Sequence, residues 1–429
     1  MHRLIDLTSL PPDRVLPLLA EACGPSGDER MDARWQAYRL PGQRLLGWVE
    51  SDQVIALAGL EIDGAAGRLL HLAVPAGLRQ RGLGQKLLRA LSRELGLYRL
   101  DAETDASALG FYKRCGWTSL ALGACHWGIQ RFGVYWLDRE VLLAPGFRFP
   151  APPLQALCFP DRPDVGARIL RLDQIHPLLS GNKWFKLRHN LMAAKQAGCR
   201  RLLSLGGAWS NHLFALAAAG SLLGFETTGI VRGELPEPLN PVLSFARDCG
   251  MQLIPVTRSE YRQLREDPTS LGKDGTWLIP EGGSNAFGVL GAGEILEYLP
   301  ADTRTLALAC GTAATLAGLA RVAPANLKLL GVAVLKGGEF LSQEVIRLAD
   351  GPIQCRWEIE TRFHAGGYAR SNQDLQAFLA RFAELTPSIP LEPVYTGKLA
   401  WALNERFKSS ERPESLVLLH SGGQLPEPR

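Results

Sequence analysis

The sequence predicts an α/β protein in two parts, an α+β part followed by a larger part with parallel sheets, and three observations carry that expectation. The chain has 429 residues, too many for one ordinary hydrophobic core. Around residues 140 to 160 the stretch LLAPGFRFPAPPLQALCFPDRPD gathers six prolines, which interrupt helix and strand alike and mark the best boundary. Apolar runs before it follow one another across polar or Gly turns; those after it alternate with helical patterns, as parallel βαβ units do. The expected division is a first domain over 1–142, a Pro-rich linker over 143–153 and a second domain over 154–429.

Composition narrows the function classes. With 46% hydrophobic and 21% charged residues, 45 Gly and 28 Pro, the chain reads as a loop-punctuated globular enzyme. Its 47 basic and 43 acidic residues are scattered, so no basic stripe is offered to nucleic acid. The start, MHRLIDLTSLPPDR, lacks a secretory pattern, and apolar runs such as LALACGTAATLAGLA are Gly-broken and shorter than a membrane span. A cytoplasmic protein with no membrane partner is expected. Eight dispersed cysteines and eight dispersed histidines predict reduced thiols and no metal site.

In the first part, LLGWVE, VIALAGLEI and RLLHLAV read as successive strands and QKLLRALSREL as a helix. Between the last strand and the helix lies Arg79-Gln80-Arg81-Gly82-Leu83-Gly84, whose glycines let backbone N–H groups approach a phosphate at a helix N-terminus. A Gly turn opening any helix looks similar, and the flanking strand and helix give this one its weight. YRLDAET then reads as a strand and ASALGFYKRCGW as a helix ending at Gly116, with Tyr112 near its end. This order resembles the GNAT superfamily of acyl-CoA N-acyltransferases over roughly residues 1 to 140, most strongly from His71 to Trp117. The resemblance implies acetyl-CoA held through its pyrophosphate by backbone N–H groups at Arg79, Arg81, Gly82 and Gly84, with Tyr112 protonating the departing thiolate. Read from the residues alone, Tyr112 packs beside Phe111 and the glycines turn the chain. No carboxylate sits on RLLHLAV, where the family often supplies a base, and deprotonation of the amine is left unexplained.

In the second part, RLLSLG, TTGIVRG, MQLIPV, TLALACG, LKLLGVAV and SLVLLHSGG read as strands, with ligands expected at their carboxyl ends. SGNKWFKL sets Lys183 and Lys186 among aromatics; a nucleophilic lysine needs such a rigid, largely apolar pocket, although a surface helix reads the same way. SLGGAWSNH ends a strand in a Gly turn and opens a helix with Ser210, Asn211 and His212. CGTAATLAGL repeats the device with Thr312 and Thr315, a natural cup for a phosphate.

Together with EGGSNAFGVLG, GGYAR, EPVYTGKLAW and LLHSGG, these segments resemble the pyridoxal-phosphate (PLP) enzymes of the tryptophan-synthase-β-like fold, fold type II, over roughly residues 150 to 429. Within that fold the match is to 1-aminocyclopropane-1-carboxylate deaminases and D-cysteine desulfhydrases. The resemblance implies that Lys183 carries the cofactor, Asn211 bonds its ring hydroxyl, and Gly311, Thr312, Ala313, Ala314 and Thr315 cradle its phosphate. It also implies that Ser210 faces the substrate carboxylate, that Tyr368 and Tyr395 lie over the substrate, and that Thr396 meets the pyridine nitrogen. Read without the resemblance, Tyr368 is a loop aromatic and Tyr395-Thr396 a strand end. Two departures stand out: Ala314 replaces the family's usual glycine, and ILRLDQIHPLL keeps Asp173 without the usual Lys-Arg-Asp-Asp run.

Deaminases of the group resemble VYEGK with HLGG, desulfhydrases VYTGK with HTGG; this chain has VYTGK (Val394–Lys398) and HSGG (His420–Gly423). A threonine at the pyridine nitrogen cannot keep it charged, and the weaker electron sink suits loss of a good β-leaving group. The expected reaction is PLP-dependent β-elimination of D-cysteine to pyruvate, ammonia and sulfide, with Lys183 as base, Tyr395 assisting and Lys186 as a nearby charge. The alternatives are a 1-aminocyclopropane-1-carboxylate deaminase, and an N-acetyltransferase whose PLP-type half is regulatory. The expected partners are a small amino acid, acetyl-CoA and, from the resemblance, further copies of the chain.

Overall fold

The computed structural model describes residues 3–23, 28–272, 275–409 and 413–422, so Gly423 of the HSGG motif lies outside the described residues. The chain divides into two compact units, one ending at Ala144 and the next beginning at Pro145. Among the described residues no helix is long and apolar enough to cross a membrane.

The first unit is built on β1 (Ile5–Asp6), β2 (Gln43–Glu50), β3 (Gln53–Asp63), β4 (Ala66–Ala73), β5 (Arg99–Asp105), β6 (Thr118–Ala124) and β7 (Gln130–Leu137), ordered β1-β2-β3-β4-β5-β7-β6. Helices α1 (Pro12–Cys23), α2 (Asp28–Ala37), α3 (Leu83–Glu94), α4 (Ala106–Arg114) and α5 (Arg139–Leu142) complete it. Strand alternation sends Leu45 and Leu57 toward Val15, Leu19, Trp35 and Tyr38 of the α1–α2 region, and Leu46, Ala58 and Leu60 toward Leu87, Leu91 and Tyr112 of α3 and α4. Every neighbouring pair is antiparallel except β4 and β5, which run parallel. Their ladder covers Ala66–Leu69 against Arg99–Ala102 and then stops. Leu70 is inserted opposite the Gly59/Leu60 step of β3, a bulge that re-aims the end of β4. The two parallel strands thus part over the second half of β4.

The second unit begins inside the Pro-rich stretch. Phe149 is 3% exposed and stacks edge-on against Trp184, so this stretch is packed rather than loose. Strands β8 (Leu154–Phe159) and β9 (Arg162–Leu170) lead into β10 (Arg201–Gly207), β11 (Glu226–Arg232), β12 (Gln252–Val256), β13 (Thr276–Ile279), β14 (Thr305–Cys310), β15 (Lys328–Ala333), β16 (Arg356–Glu360) and β17 (Leu416–Leu419). Helices α6 (Asn182–Gln196), α7 (Asn211–Leu223), α8 (Pro241–Asp248), α9 (Arg258–Glu266), α10 (Ala286–Gly293), α11 (Ala314–Val322), α12 (Leu341–Ala349), α13 (Gln373–Leu385) and α14 (Thr396–Phe407) lie between them. They form two sheets: a four-stranded one, β12-β11-β10-β13, wholly parallel, and a six-stranded one, β16-β15-β14-β17-β9-β8, parallel except for the β8–β9 hairpin. The near-continuous apolar character of β14 and β17, buried along their whole length, is what a parallel sheet covered on both faces requires.

Candidate active sites

In the second unit the motifs meet because glycines let backbones touch. Gly181 has φ +67°, and a Cβ there would stand 2.0 Å from the Ser421 carbonyl oxygen. SGNK and the HSGG segment therefore pack backbone to backbone, and α6 starts at Asn182 with Lys183 in its first turn. The Asn182 amide accepts from Lys183 Nζ at 3.1 Å and donates to Thr315 Oγ1 at 3.0 Å, tying the lysine to the start of α11. Burial lowers Lys183 to about 8, since a charged ammonium loses its water there. Lys186 is 1% exposed, donates to the Gly282 carbonyl at 2.9 Å and Thr312 Oγ1 at 3.0 Å, and is pushed well below the ordinary lysine range by burial and by Lys183. The sequence reading has Lys186 as a nearby charge; here its amine is fixed on Gly282 and Thr312, and burial disfavours the charged form.

Gly311 to Thr315 join β14 to α11, whose first turn has no side-chain cap, so its free N–H groups suit an anion. A Cβ at Gly311 would lie 2.9 Å from the Tyr395 ring, which accounts for the glycine. Ala314 is the first residue of α11 and is not among the positive-φ positions, so alanine in place of glycine costs nothing there. Ser210 caps α7, accepting from the Leu213 N–H at 3.2 Å, and Asn211 begins that helix. His212 beside them is buried, bonds Ser204 Oγ at 3.0 Å, and is held neutral by burial and the two lysines.

Tyr395 and Tyr368 come together, hydroxyl to hydroxyl at 3.2 Å, with Lys183 Nζ 6.0 Å from the Tyr395 ring centre. Tyr395-Thr396 is a helix start, not a strand end: the Glu392 carboxylate accepts the N–H groups of Val394 (2.6 Å), Tyr395 (2.9 Å) and Thr396 (2.6 Å) and so caps α14. Burial raises Glu392 to about 7 against the pull of those donors. Lys398 is 0% exposed and donates to the Gly367 carbonyl at 2.7 Å, next to Tyr368; burial lowers it to about 8. Sequence reading passed over both. An acid four residues before the first residue of α14 is the signal for Glu392; nothing local distinguishes Lys398.

The residues present fit PLP. The Thr396 hydroxyl is fully buried beside the Glu392 carboxyl, yet reaches hydrogen-bond geometry with no described residue, an orphan that a ring nitrogen would satisfy. A weakly basic lysine, an uncapped helix start behind a glycine, and this hydroxyl are the three contacts the cofactor needs.

In the first unit a cleft of about 590 Å³ opens where β4 and β5 part, lined by Leu72, Val74, Arg79, Gly82, Gly84 and Tyr112 among others. Gly82 precedes α3 at φ +77° with no side-chain cap, leaving first-turn N–H groups free. Gly84 is packed so closely that a Cβ would meet the Phe111 ring at 3.2 Å. Two of the expected donors differ: the Arg79 N–H already reaches the Ala76 carbonyl (3.3 Å) in a tight turn, and exposed Arg81 is not among the lining residues. Tyr112 is 7% exposed on the cleft wall, and burial pushes its phenol up to about 12.

The fold and the two sites define the class: an acyl-CoA transferase-like unit joined to a fold-type II PLP enzyme-like unit. Residues 13–117 match the acetyltransferase (GNAT) family. The chain is 29% identical to the bifunctional D-cysteine desulfhydrase/1-aminocyclopropane-1-carboxylate deaminase, mitochondrial, of Arabidopsis thaliana, over 58% of this chain and 69% of that one. It is 28% identical to a D-cysteine desulfhydrase of Yersinia enterocolitica, over 59% and 86% respectively. A crystal structure of an ACC deaminase homologue superposes with TM-score 0.55 at 24% identity, covering 66% of this chain and 94% of that one, which shows the fold. The N-terminal part is a GNAT acetyltransferase domain, and the C-terminal region is homologous to 1-aminocyclopropane-1-carboxylate deaminases and D-cysteine desulfhydrases.

Proposed function

We propose that the second unit is a PLP-dependent lyase that eliminates sulfide from D-cysteine, giving pyruvate and ammonia, and that the first unit transfers acetyl from acetyl-CoA to an amine. We place the functional boundary at the division near Ala144, in a cytoplasmic protein. The observation that carries the lyase reading is the Lys183 amine, lowered to about 8 by burial and set between the α11 start and the Tyr395–Tyr368 pair.

PLP, when bound, supplies the electron sink that makes the substrate α-proton acidic. Lys183 would hold it; the Gly311–Thr315 turn would take its phosphate, Asn211 its hydroxyl and Thr396 its ring nitrogen. At pH 8 about half of the Lys183 amines are unprotonated, against under about one in a hundred for an ordinary lysine, so the group can both attack and accept a proton. Tyr395, pushed far above the usual phenol range by burial, keeps its proton and shares it with Tyr368 across 3.2 Å. Such a pair can hand a proton to a departing β-thiolate. Ser210, at the α7 start, orients the substrate carboxylate.

Threonine rather than glutamate at 396 favours desulfhydrase over deaminase chemistry, and the names of the relatives span both. The test is a substrate panel on purified PLP-loaded protein that scores keto acid, ammonia and sulfide together. Sulfide with pyruvate from D-cysteine is expected, and Lys183→Ala should abolish it. Ring opening of 1-aminocyclopropane-1-carboxylate without elimination from D-cysteine would reverse the assignment.

A further inference from the structure

Lys398 is a costly residue for the place it occupies. Its side chain is fully buried, and its neighbours on α14, Leu399 and Ala400, belong to the core packed on the six-stranded sheet. Its amine nevertheless ends on two neutral backbone carbonyls, Gly367 at 2.7 Å and Val334 at 3.4 Å. An ammonium taken out of water onto uncharged acceptors loses more hydration than those bonds return, and a methionine would fill the same space without that loss. Packing alone therefore does not account for a lysine here; what its amine holds does.

The Gly367 carbonyl belongs to a strained loop between β16 and α13. Ala365 and Ala369 have φ of +49° and +53°, a region that alanine enters only at a cost, and Gly366 and Gly367 between them have φ of +92° and +122°. Such a turn persists where its surroundings fix it. Within the loop the Gly367 N–H reaches the His364 carbonyl at 3.0 Å, and the Gly367 carbonyl accepts from the Arg370 N–H at 3.1 Å. The Lys398 amine binds the same carbonyl from α14.

Tyr368 is the next residue. Its hydroxyl accepts from the Tyr395 hydroxyl at 3.2 Å and donates to the Trp209 carbonyl at 3.5 Å, one residue before Ser210. Tyr395 and Lys398 stand three residues apart at the α14 start, whereas Trp209 lies in the β10–α7 turn of the other sheet. Tyr368 thus spans the site from its six-stranded half to its four-stranded half, and Lys398 grips the backbone from which it spans.

We infer that Lys398 is a positioning residue for the lyase reaction: by clamping the Gly367 carbonyl to the start of α14, it sets the Tyr368 hydroxyl against the Tyr395 hydroxyl, where the pair serves the departing β-thiolate. The inference rests on the lyase reading above. Lys398 acts through Tyr368, and no bond is made or broken at its amine. One turn of α14 carries both the clamp and Tyr395, so the two hydroxyls are fixed relative to a single rigid element.

The test uses the full PLP-loaded chain and follows both sulfide release from D-cysteine and amide hydrogen exchange. Lys398→Met keeps the volume and removes the ammonium; it should lower kcat about 10- to 100-fold with KM for D-cysteine and PLP affinity unchanged. Peptides covering residues 364–370 should exchange faster than in the parent while those covering α11 keep their protection, a local change that general destabilisation would not give. Tyr368→Phe should slow kcat by a similar factor, and the double variant Lys398→Met/Tyr368→Phe should be no slower than Tyr368→Phe, because the clamp then has no hydroxyl to place. Ala369→Gly added to Lys398→Met should restore part of the rate, since glycine takes φ +53° freely. Lys398→Gln, which keeps a donor, gives the same comparison if the methionine variant does not fold. Parental kcat in Lys398→Met, unchanged exchange across 364–370, or a double variant slowed by the product of the two single effects would overturn the assignment. Parent protein that releases no sulfide from D-cysteine would instead overturn the lyase reading, and the exchange comparison would still read the clamp.

Discussion

Thr396→Val separates the need of the cofactor from the need of the fold, because the two predict opposite signs. The Thr396 hydroxyl is 0% exposed and reaches hydrogen-bond geometry with no described residue, although the Glu392 carboxyl lies beside it, so the protein without PLP carries at most the cost of a buried unsatisfied group, about 1–3 kcal/mol. Valine keeps the shape and removes that cost. With about 2–4 °C per kcal/mol for a unit of this size, the PLP-free variant should melt about 2–12 °C higher than the parent. PLP, by contrast, loses its ring-nitrogen partner, a hydrogen bond of about 1–1.5 kcal/mol, and should bind roughly tenfold more weakly. Differential scanning fluorimetry across a PLP titration reads both numbers in one series. A variant that melts lower without PLP, or binds PLP as tightly as the parent, would show that the hydroxyl serves the fold and does not face the cofactor.

Other perturbations follow from the same geometry. Gly311→Ala drives a methyl to 2.9 Å from the Tyr395 ring, an overpacking of about 1–3 kcal/mol, and should weaken PLP binding and slow elimination together; unchanged spectral titration would refute the close approach. Burial lowers Lys183 and Lys398 to about 8 and Lys186 in the same direction, whereas unfolded lysines titrate at about 10.4, so between those values the unfolded chain binds more protons. These lysines should therefore contribute stability that grows as pH rises from about 8 to 9.5 and is lost as pH falls through 8, against the buried thiols such as Cys310, which act in the opposite direction; the difference in urea midpoint between the PLP-free parent and Lys183→Met, followed across that range, checks the sign. Gly84→Val places a branched side chain against Phe111, at 3.2 Å from the first added carbon, and should abolish acetyl-CoA binding while sulfide release from D-cysteine continues. Simultaneous loss of both activities would mean that the glycine serves folding alone.

Much of the architecture was legible because it is local. Strand, Gly turn and helix recur in RLLSLGGAWSNH and TLALACGTAATLAGL, and each reads directly as a strand end presenting a helix start. What escaped depends on pairs far apart in the chain. Tyr38 and His71, hydrogen-bonded across 33 positions, mean nothing until β3 and β4 align Gly59 between them. Nothing local in TGKLAW marks Lys398, and only the folded chain puts its ammonium on the Gly367 carbonyl. The Pro-rich stretch stands out through its missing N–H donors, but nothing local reveals that Phe149 within it packs against Trp184. The turn at Arg79 read as a ring of free donors; the short helical turn before it takes one of them.

The central claim is that one amine among three weakened lysines carries the cofactor. Borohydride reduction of PLP-loaded protein, followed by peptide mass spectrometry, tests it directly. The account predicts a pyridoxyl adduct on Lys183; an adduct on Lys186 or Lys398, or none, would contradict it.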